Sequence, residues 1–189
     1  TKMTITISNS TNNGIATGSR NYVGGFVGCI HSNTNMAMTI SNSINNGNVT
    51  GNGSYVGGFV GYIGSNSYSY SITLYLINNA NKGSVSARNG LACGFVCVDS
   101  KYNYNVNTTI KNSINKGSVS AHTSAYGITN NITVARNVVS MGDVTGSSGS
   151  YTFWNASTDV DLFYGLNGMC FNCNADATLF QHNTNTGFY

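Results

Sequence analysis

Two cysteines near the end of the chain, Cys170 and Cys173, form a Cys-x-x-Cys pattern that could support thiol chemistry. Redox catalysis by this pattern needs a βαβ context, and a zinc site needs a second pair or a nearby histidine. The surrounding sequence supplies neither, which favours a local disulfide between Cys170 and Cys173. Two free thiols are the alternative.

Acid–base chemistry has few candidates, because the chain has five Asp and no Glu. Asp159 and Asp161 form one isolated pair on the same face of an extended segment, while Asp99 and Asp143 are far apart in sequence. The three histidines are expected in loops, because they occur in unrelated registers: His31, His122 and His182. We predict no catalytic residue, no metal site and no cofactor. Polysaccharide cleavage through Asp159 and Asp161 is the enzymatic alternative.

Tyrosines are crowded into "YIGSNSYSYSITLY" and "KYNYNV", where they alternate with Ser or Asn. This alternation places the rings on one side of an extended chain, as a surface that could bind glycans, a receptor or a neighbouring molecule. The predicted binding residues are Tyr68, Tyr70, Tyr102 and Tyr104. The alternative is that these rings widen the core or cover a strand edge.

Three other cysteines occur within the repeated part of the sequence. Cys93 and Cys97 would be about 13 Å apart on an extended strand, which is too far for a disulfide. Together with Cys29 they are predicted to pack as small apolar residues.

These residues must be positioned by an internal repeat. The repeat aligns on five glycines spaced by 33, 36, 34 and 25 residues: Gly14, Gly47, Gly83, Gly117 and Gly142. Such a period is typical of repeat architectures. Upstream of each glycine the aligned apolar positions alternate with polar ones, beginning with Ile7, Ile40, Leu76, Ile110 and Ala135. A period of two predicts a β-strand.

A second strand follows each glycine, around Ala16, Val49, Val85, Val119 and Val144, and a third contains "YVGGFVG" or a degraded form of it. No copy can bury its apolar face alone, whereas parallel stacking of equivalent strands closes a core. The sequence therefore predicts an all-β fold, a parallel β-solenoid of about five coils with three short strands per coil. The coils span about residues 4–36, 37–72, 73–106, 107–131 and 132–154 within a repeat domain of residues 1–154. Residues 155–189, where the pattern fails, are predicted to be a C-terminal cap or the start of a non-repeat region.

An asparagine recurs two positions after each leading apolar residue, at Asn9, Asn42, Asn78, Asn112 and Asn137. Its parity predicts a side chain on the core side at a strand end. Stacked amides would hydrogen-bond along the layers, so each layer supplies partners for the next. The alternative is that these are turn residues of an antiparallel sandwich, whose turn signals recur every 8 to 12 residues.

The outward positions of the second strand form a hydroxyl row, defined here as Thr17, Thr50, Ser86, Ser120 and Thr145. The row invites comparison with ice-binding solenoids, which need a flat and regular threonine array. Because this row is single and mixed in residue type, ice binding is not the favoured function.

Composition bounds the function. Only 7% of the residues are charged and the net charge is +3, without a cationic cluster, which argues against nucleic-acid binding. No apolar run is long enough to insert into a membrane, and we interpret the chain as a mature or excised segment of a longer protein. Six sequons would permit N-glycosylation in a secreted eukaryotic protein, although so Asn-rich a chain also produces sequons by chance: Asn9, Asn48, Asn52, Asn107, Asn131 and Asn155.

The stretches "ATGSRNYVGGFVGCI" (residues 16–30) and "VTGNGSYVGGFVGYI" (residues 49–63) resemble the GLUG repeat, a glycine-rich unit with a Gly-Gly-Leu-Val-Gly core. With degraded copies included, the resemblance covers about residues 4–154, and it is specific in the first two copies. Phe26 and Phe59 replace the usual Leu, and Cys93 and Cys97 replace flanking glycines.

GLUG repeats occur in large secreted or surface-attached bacterial proteins, including adhesins and processed surface proteases, and in surface proteins of unicellular eukaryotes. The resemblance implies a solenoid stalk or adhesive surface with no catalytic residue to transfer. We expect an extracellular, non-enzymatic structural or adhesive module. Its expected partners are further copies stacked end to end, adjoining repeats of a longer chain, glycans or a cell-surface receptor.

Overall fold

A computed structural model describes residues 2–65, 69–103, 105–153 and 160–165, without the side chains of residues 100–103, 152–153 and 160–165. The described residues form strands, turns and bends and contain no helix. The strands pair in parallel and wind as a β-solenoid, which confirms the predicted fold class.

Each of the first three coils contributes five strands. The first coil contains β1 (Met3–Ser8), β2 (Thr11–Asn12), β3 (Ala16–Gly18), β4 (Tyr22–Gly24) and β5 (Val27–His31). The second contains β6 (Met36–Ser41), β7 (Ile44–Asn45), β8 (Val49–Gly51), β9 (Tyr55–Gly57) and β10 (Val60–Ser65). The third contains β11 (Ile72–Ile77), β12 (Ala80–Asn81), β13 (Val85–Ala87), β14 (Leu91–Cys93) and β15 (Val96–Asn103).

Later coils have fewer strands, and some of these strands are longer. The fourth contains β16 (Val106–Asn115), β17 (Val119–Ala121) and β18 (Ser124–Thr129). The fifth contains β19 (Val134–Ser140), β20 (Val144–Gly146) and β21 (Gly149–Phe153), and β22 (Val160–Gly165) follows it.

Equivalent strands stack into three parallel sheets. The first sheet begins β1-β6-β11-β16 and continues through β19 to β22, the second is β3-β8-β13-β17-β20, and the third contains β4-β9-β14-β18 with β5-β10-β15. Aligned positions of the repeat are register partners, as with Ile7, Ile40 and Leu76. Four turns of chain connect the five strands of the second sheet, so the stack has about four full turns, slightly fewer than the five coils predicted.

The number of strands per coil and the end of the stack also differ from the prediction. The "YVGGFVG" segment forms two strands instead of one, because the chain bends at residues 25–26 between β4 and β5. The first sheet continues past the predicted boundary at residue 154, since β22 pairs in parallel with β19. The rest of the predicted cap lies outside the described residues.

The recurring asparagine that follows the first strand occupies a corner, and its predicted core position is wrong. Asn9, Asn42, Asn78, Asn112 and Asn137 are all exposed and all have positive φ, for example 50° at Asn42. Asparagine adopts this left-handed conformation more readily than other residues with a side chain. The left-handed residue changes the parity of the chain, so Ser43 and Asn45 point inward instead of Asn42.

These corner residues nevertheless form a hydrogen-bonded ladder on the outside, which we call the outer asparagine ladder. Asn78 donates through Nδ2 to Oδ1 of Asn42, Asn112 to Asn78, and Asn137 to Asn112, each at 3.1 Å. Amide stacking between layers was thus predicted at the correct residues, but these side chains lie on the outer surface of the solenoid instead of in its core.

A second ladder runs inside the solenoid and consists of Asn12, Asn45, Asn81 and Asn115, here the inner asparagine ladder. Each Nδ2 donates to Oδ1 of the next member, at 2.8, 2.8 and 2.7 Å. The same Nδ2 groups of Asn45, Asn81 and Asn115 also donate to the carbonyl oxygen two residues ahead. These bonds satisfy amides that would otherwise be costly to bury. In the fifth coil Ser140 takes the position, and its buried Oγ has no hydrogen-bond partner among the described residues.

The Gly-Gly pair of the repeat makes room for the inner asparagine ladder. A Cβ at Gly58 would lie against the carbonyl oxygen of Gly94 and 2.9 Å from Oδ1 of Asn81. Gly25 and Gly94 have the same relation to Asn45 and Asn115. Side chains at these positions would separate the layers.

Apolar clusters fill the remaining interior, and the two largest run through several layers. One contains a stack of phenylalanine rings, in which Phe26 and Phe59 have centroids 4.9 Å apart and Phe59 and Phe95 have centroids 5.0 Å apart. The other contains Val49, Val85 and Val119 of the second sheet. Stacking of like rings adds to the burial of apolar area that holds the layers together.

Candidate functional site

Among the described residues, no further layer covers the first coil of the solenoid. All five of its strands lie at the ends of their sheets. Met3 and Ile5 are 45% and 36% exposed, whereas their register partners Met36 and Met38 are 5% and 3% exposed. We call the uncovered end of β1 to β5 the open first layer.

The inner asparagine ladder ends at this layer. Oδ1 of Asn45 accepts from Nδ2 of Asn12 in the first coil. Oδ1 of Asn12 instead accepts from the backbone N–H of Gly14 in its own turn, at 3.1 Å. Ile15, next to that turn, is the most exposed of the large apolar side chains in the described part of the chain. An edge of strands that pair on one side only, with an exposed apolar interior, is a template for a further parallel layer.

A group of aromatic side chains lies on the third sheet. Tyr22, Tyr55 and Tyr62, here the tyrosine cluster, are in mutual ring contact. The ring centroids of Tyr22 and Tyr62 are 4.3 Å apart with an interplanar angle of 31°, and that of Tyr55 lies 5.9 Å from Tyr22 and 5.2 Å from Tyr62. Tyr22 is 41% exposed and Tyr62 is 5% exposed, so the cluster extends from solvent into the protein.

A buried carboxylate lies at the inner end of the tyrosine cluster. The Tyr62 hydroxyl donates to Oδ2 of Asp99 at 3.0 Å, and Asp99 is itself buried on β15. Gly64 allows this arrangement, because a Cβ there would lie 2.6 Å from Cζ of Tyr62. The sequence "GYIG" therefore lets the phenol lie along its own strand towards the next coil.

Burial and the nearby carboxylate disfavour ionisation of these phenols. Burial, followed by the charge of Asp99, raises the pKa of Tyr55 from 10.0 to about 12. For Tyr62, burial, the hydrogen bond to Asp99 and its charge raise the pKa further. The phenols are thus neutral hydrogen-bond donors at ordinary pH.

The predicted binding tyrosines are placed only in part. Tyr70 is exposed, next to the start of β11. Tyr68 and Tyr104, and the side chain of Tyr102, lie outside what the structure describes, and their role stays a prediction. Sequence reasoning did not select Tyr22, Tyr55 or Tyr62 as a group. Tyr22 and Tyr55 align in the repeat, and this shared register was the available signal.

The cysteine predictions need correction. Cys29 is exposed and does not pack as a small apolar residue. Cys93 and Cys97 are buried, as predicted, but they lie in one cluster with Tyr126, because the chain turns at Gly94–Phe95 between β14 and β15. Burial, followed by a hydrogen bond with Cys97, raises the pKa of the Cys93 thiol. Cys170 and Cys173 lie outside the described residues.

The residues considered for acid–base chemistry do not form a group in the described part of the chain. His31 ends β5 instead of lying in a loop, and His122 lies in an exposed turn. The backbone of Asp161 is paired opposite Arg136, while Asp159 and His182 are not described. Within the described ranges, no three His, Cys, Asp or Glu residues lie close enough to hold a metal ion.

The hydroxyl row lies on the outer face of the second sheet, as its parity predicted. Its members are register partners, and Ser120 donates to Ser86 at 3.1 Å. An open depression at one end is lined by Thr17, Gly18, Ser19, Thr50 and Asn52.

The sequon asparagines differ in their surroundings. Asn9, Asn48, Asn52 and Asn107 are exposed, and Asn131 is half-buried. Oδ1 of Asn48 accepts from the backbone of Ser84. Asn155 lies outside the described residues, and glycosylation stays a prediction.

No family model, curated protein or solved structure matches the chain. In the part of the chain that the structure describes, we find no helix with the length and apolar character needed to cross a membrane.

Proposed function

We propose that this protein is a non-enzymatic structural module of an extracellular or surface protein, and that it assembles end to end with further copies of itself. The observation that carries the proposal is the open first layer. Its apolar side chains are exposed, and its strands pair on one side only, in the same parallel register that β6 keeps with β11. A second copy of this chain presents the same alternation of apolar columns and asparagines, and is therefore the occupant that fits.

The low charge of the chain supports this assembly. With 7% charged residues, stacked copies bring few like charges together. The resemblance of the "YVGGFVG" copies to GLUG repeats is in line with a stalk-like or adhesive protein on a cell surface.

Negative-stain electron microscopy of the purified chain at increasing concentration tests the proposal. We expect filaments as wide as one solenoid. Ile5→Lys places a charge on the open first layer and should prevent them, because a second layer would bury that ammonium without a partner. Tyr75→Lys, at an exposed position on β11, is the matched control and should leave assembly unchanged. Dispersed monomers of the unmodified chain at high concentration would overturn end-to-end assembly.

Glycan binding is a second candidate function, and the exposed ring of Tyr22 beside Tyr55 favours it. Aromatic faces on a sheet suit the apolar faces of sugar rings. A glycan array should then detect binding that is lost in Tyr22→Ala and retained in Tyr75→Ala. An array without any bound glycan would rule this function out for the panel used.

A further inference from the structure

We propose that Tyr22 and Tyr62 are a site of oxidative modification, at which a haem peroxidase with hydrogen peroxide joins the two phenol rings by a carbon–carbon bond. This inference is independent of end-to-end assembly. The product is a dityrosine cross-link between the first and second coils.

The ring geometry favours coupling of this pair over the other pairs in the tyrosine cluster. Tyr22 and Tyr62 have the shortest centroid separation, 4.3 Å, and their planes are inclined by only 31°. Tyr55 meets Tyr62 edge-on at 65°, and its centroid is 5.9 Å from that of Tyr22. The two rings that overlap most closely are on different coils, β4 and β10.

Asp99 assists the oxidation of Tyr62. A phenol that loses an electron becomes strongly acidic, so its proton must move to an acceptor as the electron leaves. The carboxylate oxygen of Asp99 already accepts a hydrogen bond from the Tyr62 hydroxyl at 3.0 Å, so the proton can move to it along an existing hydrogen bond. The negative charge next to the ring also stabilises the loss of an electron.

Tyr22 provides access for the oxidant. Tyr62 is 5% exposed and cannot meet an enzyme directly, whereas Tyr22 is 41% exposed and in contact with it. The Tyr22 radical takes an electron from Tyr62, and a second oxidation regenerates the radical on Tyr22. Two adjacent phenoxyl radicals then couple through ring carbons next to the hydroxyl groups.

The atoms and electrons balance with one peroxide. The two rings together give up two electrons and two ring hydrogens, the latter as protons when the coupled rings regain aromaticity. Hydrogen peroxide takes up the two electrons and two protons and becomes two molecules of water. Both phenol hydroxyl groups are retained, and Asp99 returns its proton.

The experiment treats the purified chain with horseradish-type haem peroxidase and hydrogen peroxide at a protein concentration too low for association. We expect blue dityrosine fluorescence, a monomer lighter by two hydrogen atoms, and a digest in which the peptides containing residues 22 and 62 are joined. Tyr22→Phe should abolish this product, and Tyr75→Phe, at another exposed tyrosine, should leave it unchanged. Absence of the joined peptide, or an intramolecular product at another tyrosine pair, would overturn the proposal.

Asp99→Asn tests whether Asp99 is the proton acceptor, because asparagine has nearly the same shape as aspartate but carries no negative charge. We expect the rate of cross-linking to fall at least tenfold and its solvent deuterium isotope effect to change, while the circular dichroism spectrum stays the same. An unchanged rate and isotope effect would contradict the role of Asp99. Since Tyr22→Phe changes an exposed side chain, it keeps the cross-link itself testable even if Asp99→Asn fails to fold.

Discussion

Asn42 and Asn45 lie three residues apart and show how the same side chain has two different roles in one coil. Asn42 is at an exposed corner, where its positive φ redirects the chain. Asn45 is buried, and its side-chain amide forms hydrogen bonds with both neighbouring layers and with the backbone of its own turn. The corner needs a backbone conformation, whereas the interior needs hydrogen-bond partners.

Substitution at the two ladders should therefore have unequal effects. Asn81→Ala removes the acceptor of one Asn45 N–H and the N–H groups that donate to Oδ1 of Asn115 and to the Gly83 carbonyl oxygen, and should lower the free energy of unfolding by about 3 kcal/mol or more. Asn78→Gly removes an outer amide but keeps the left-handed corner, and should cost less than about 1 kcal/mol. Urea unfolding measures both, and equal losses would contradict the distinction.

The buried tyrosines make stability depend on alkaline pH. The pKa of Tyr55 and that of Tyr126 are each raised from 10.0 to about 12, chiefly by burial. The folded state therefore keeps phenol protons that the unfolded chain releases above pH 10.0. Because burial also raises the pKa of the Cys93 thiol above its ordinary value of 9.0, stability should begin to fall above pH 9, and it should fall further between pH 10 and about 12 as the phenols of the unfolded chain ionise. Denaturant midpoints across this range test the sign, and a rise in stability would contradict it.

At the scale of elements, periodicity in the sequence was enough to predict parallel stacking, because like residues recur at matched positions and like strands pair. The alternation of residues was misleading at one point, the corner asparagine, where a left-handed residue shifts the parity. Neither the inward position of Asn45 nor the two-strand form of "YVGGFVG" follows from a period of two. The tyrosine cluster could not be predicted either, since it joins the aligned Tyr22 and Tyr55 to a residue from another part of the repeat.

The Gly-Gly bend allows a direct test of how closely the elements pack. Gly58→Ala would place a methyl group against the carbonyl oxygen of Gly94 and the Asn81 amide, both rigidly held by the next layer. We expect a loss of about 2 kcal/mol or more, as for other overpacked sites. Gly28→Ala is the control. Its Cβ would lie 3.4 Å from its nearest neighbour, the backbone carbonyl oxygen of Tyr22, which is an ordinary contact distance. If thermal unfolding gave the same midpoint for the two variants, the layers would not be packed this closely.

At the scale of the whole molecule, stability comes from contacts that repeat from one layer to the next. Columns of Asn, Phe, Val and hydroxyl side chains run through successive layers, so each coil is held chiefly by its neighbours. The consequence is an end that stays open wherever no further layer covers it. Both the proposed assembly and the proposed cross-link act at that end, the first by covering the first coil and the second by tying it to the next.

The central claim, that equivalent residues lie directly above one another, is tested most directly by the distance between spin labels at Thr17 and Thr145. Both belong to the exposed hydroxyl row, and four parallel pairings separate them. Cys29, Cys170 and Cys173 are replaced by Ser so that only the introduced cysteines react. Electron paramagnetic resonance should give a narrow distribution centred at about 19 Å, four times the spacing of adjacent strands. A broad distribution, or one centred far from that value, would contradict the stacked arrangement.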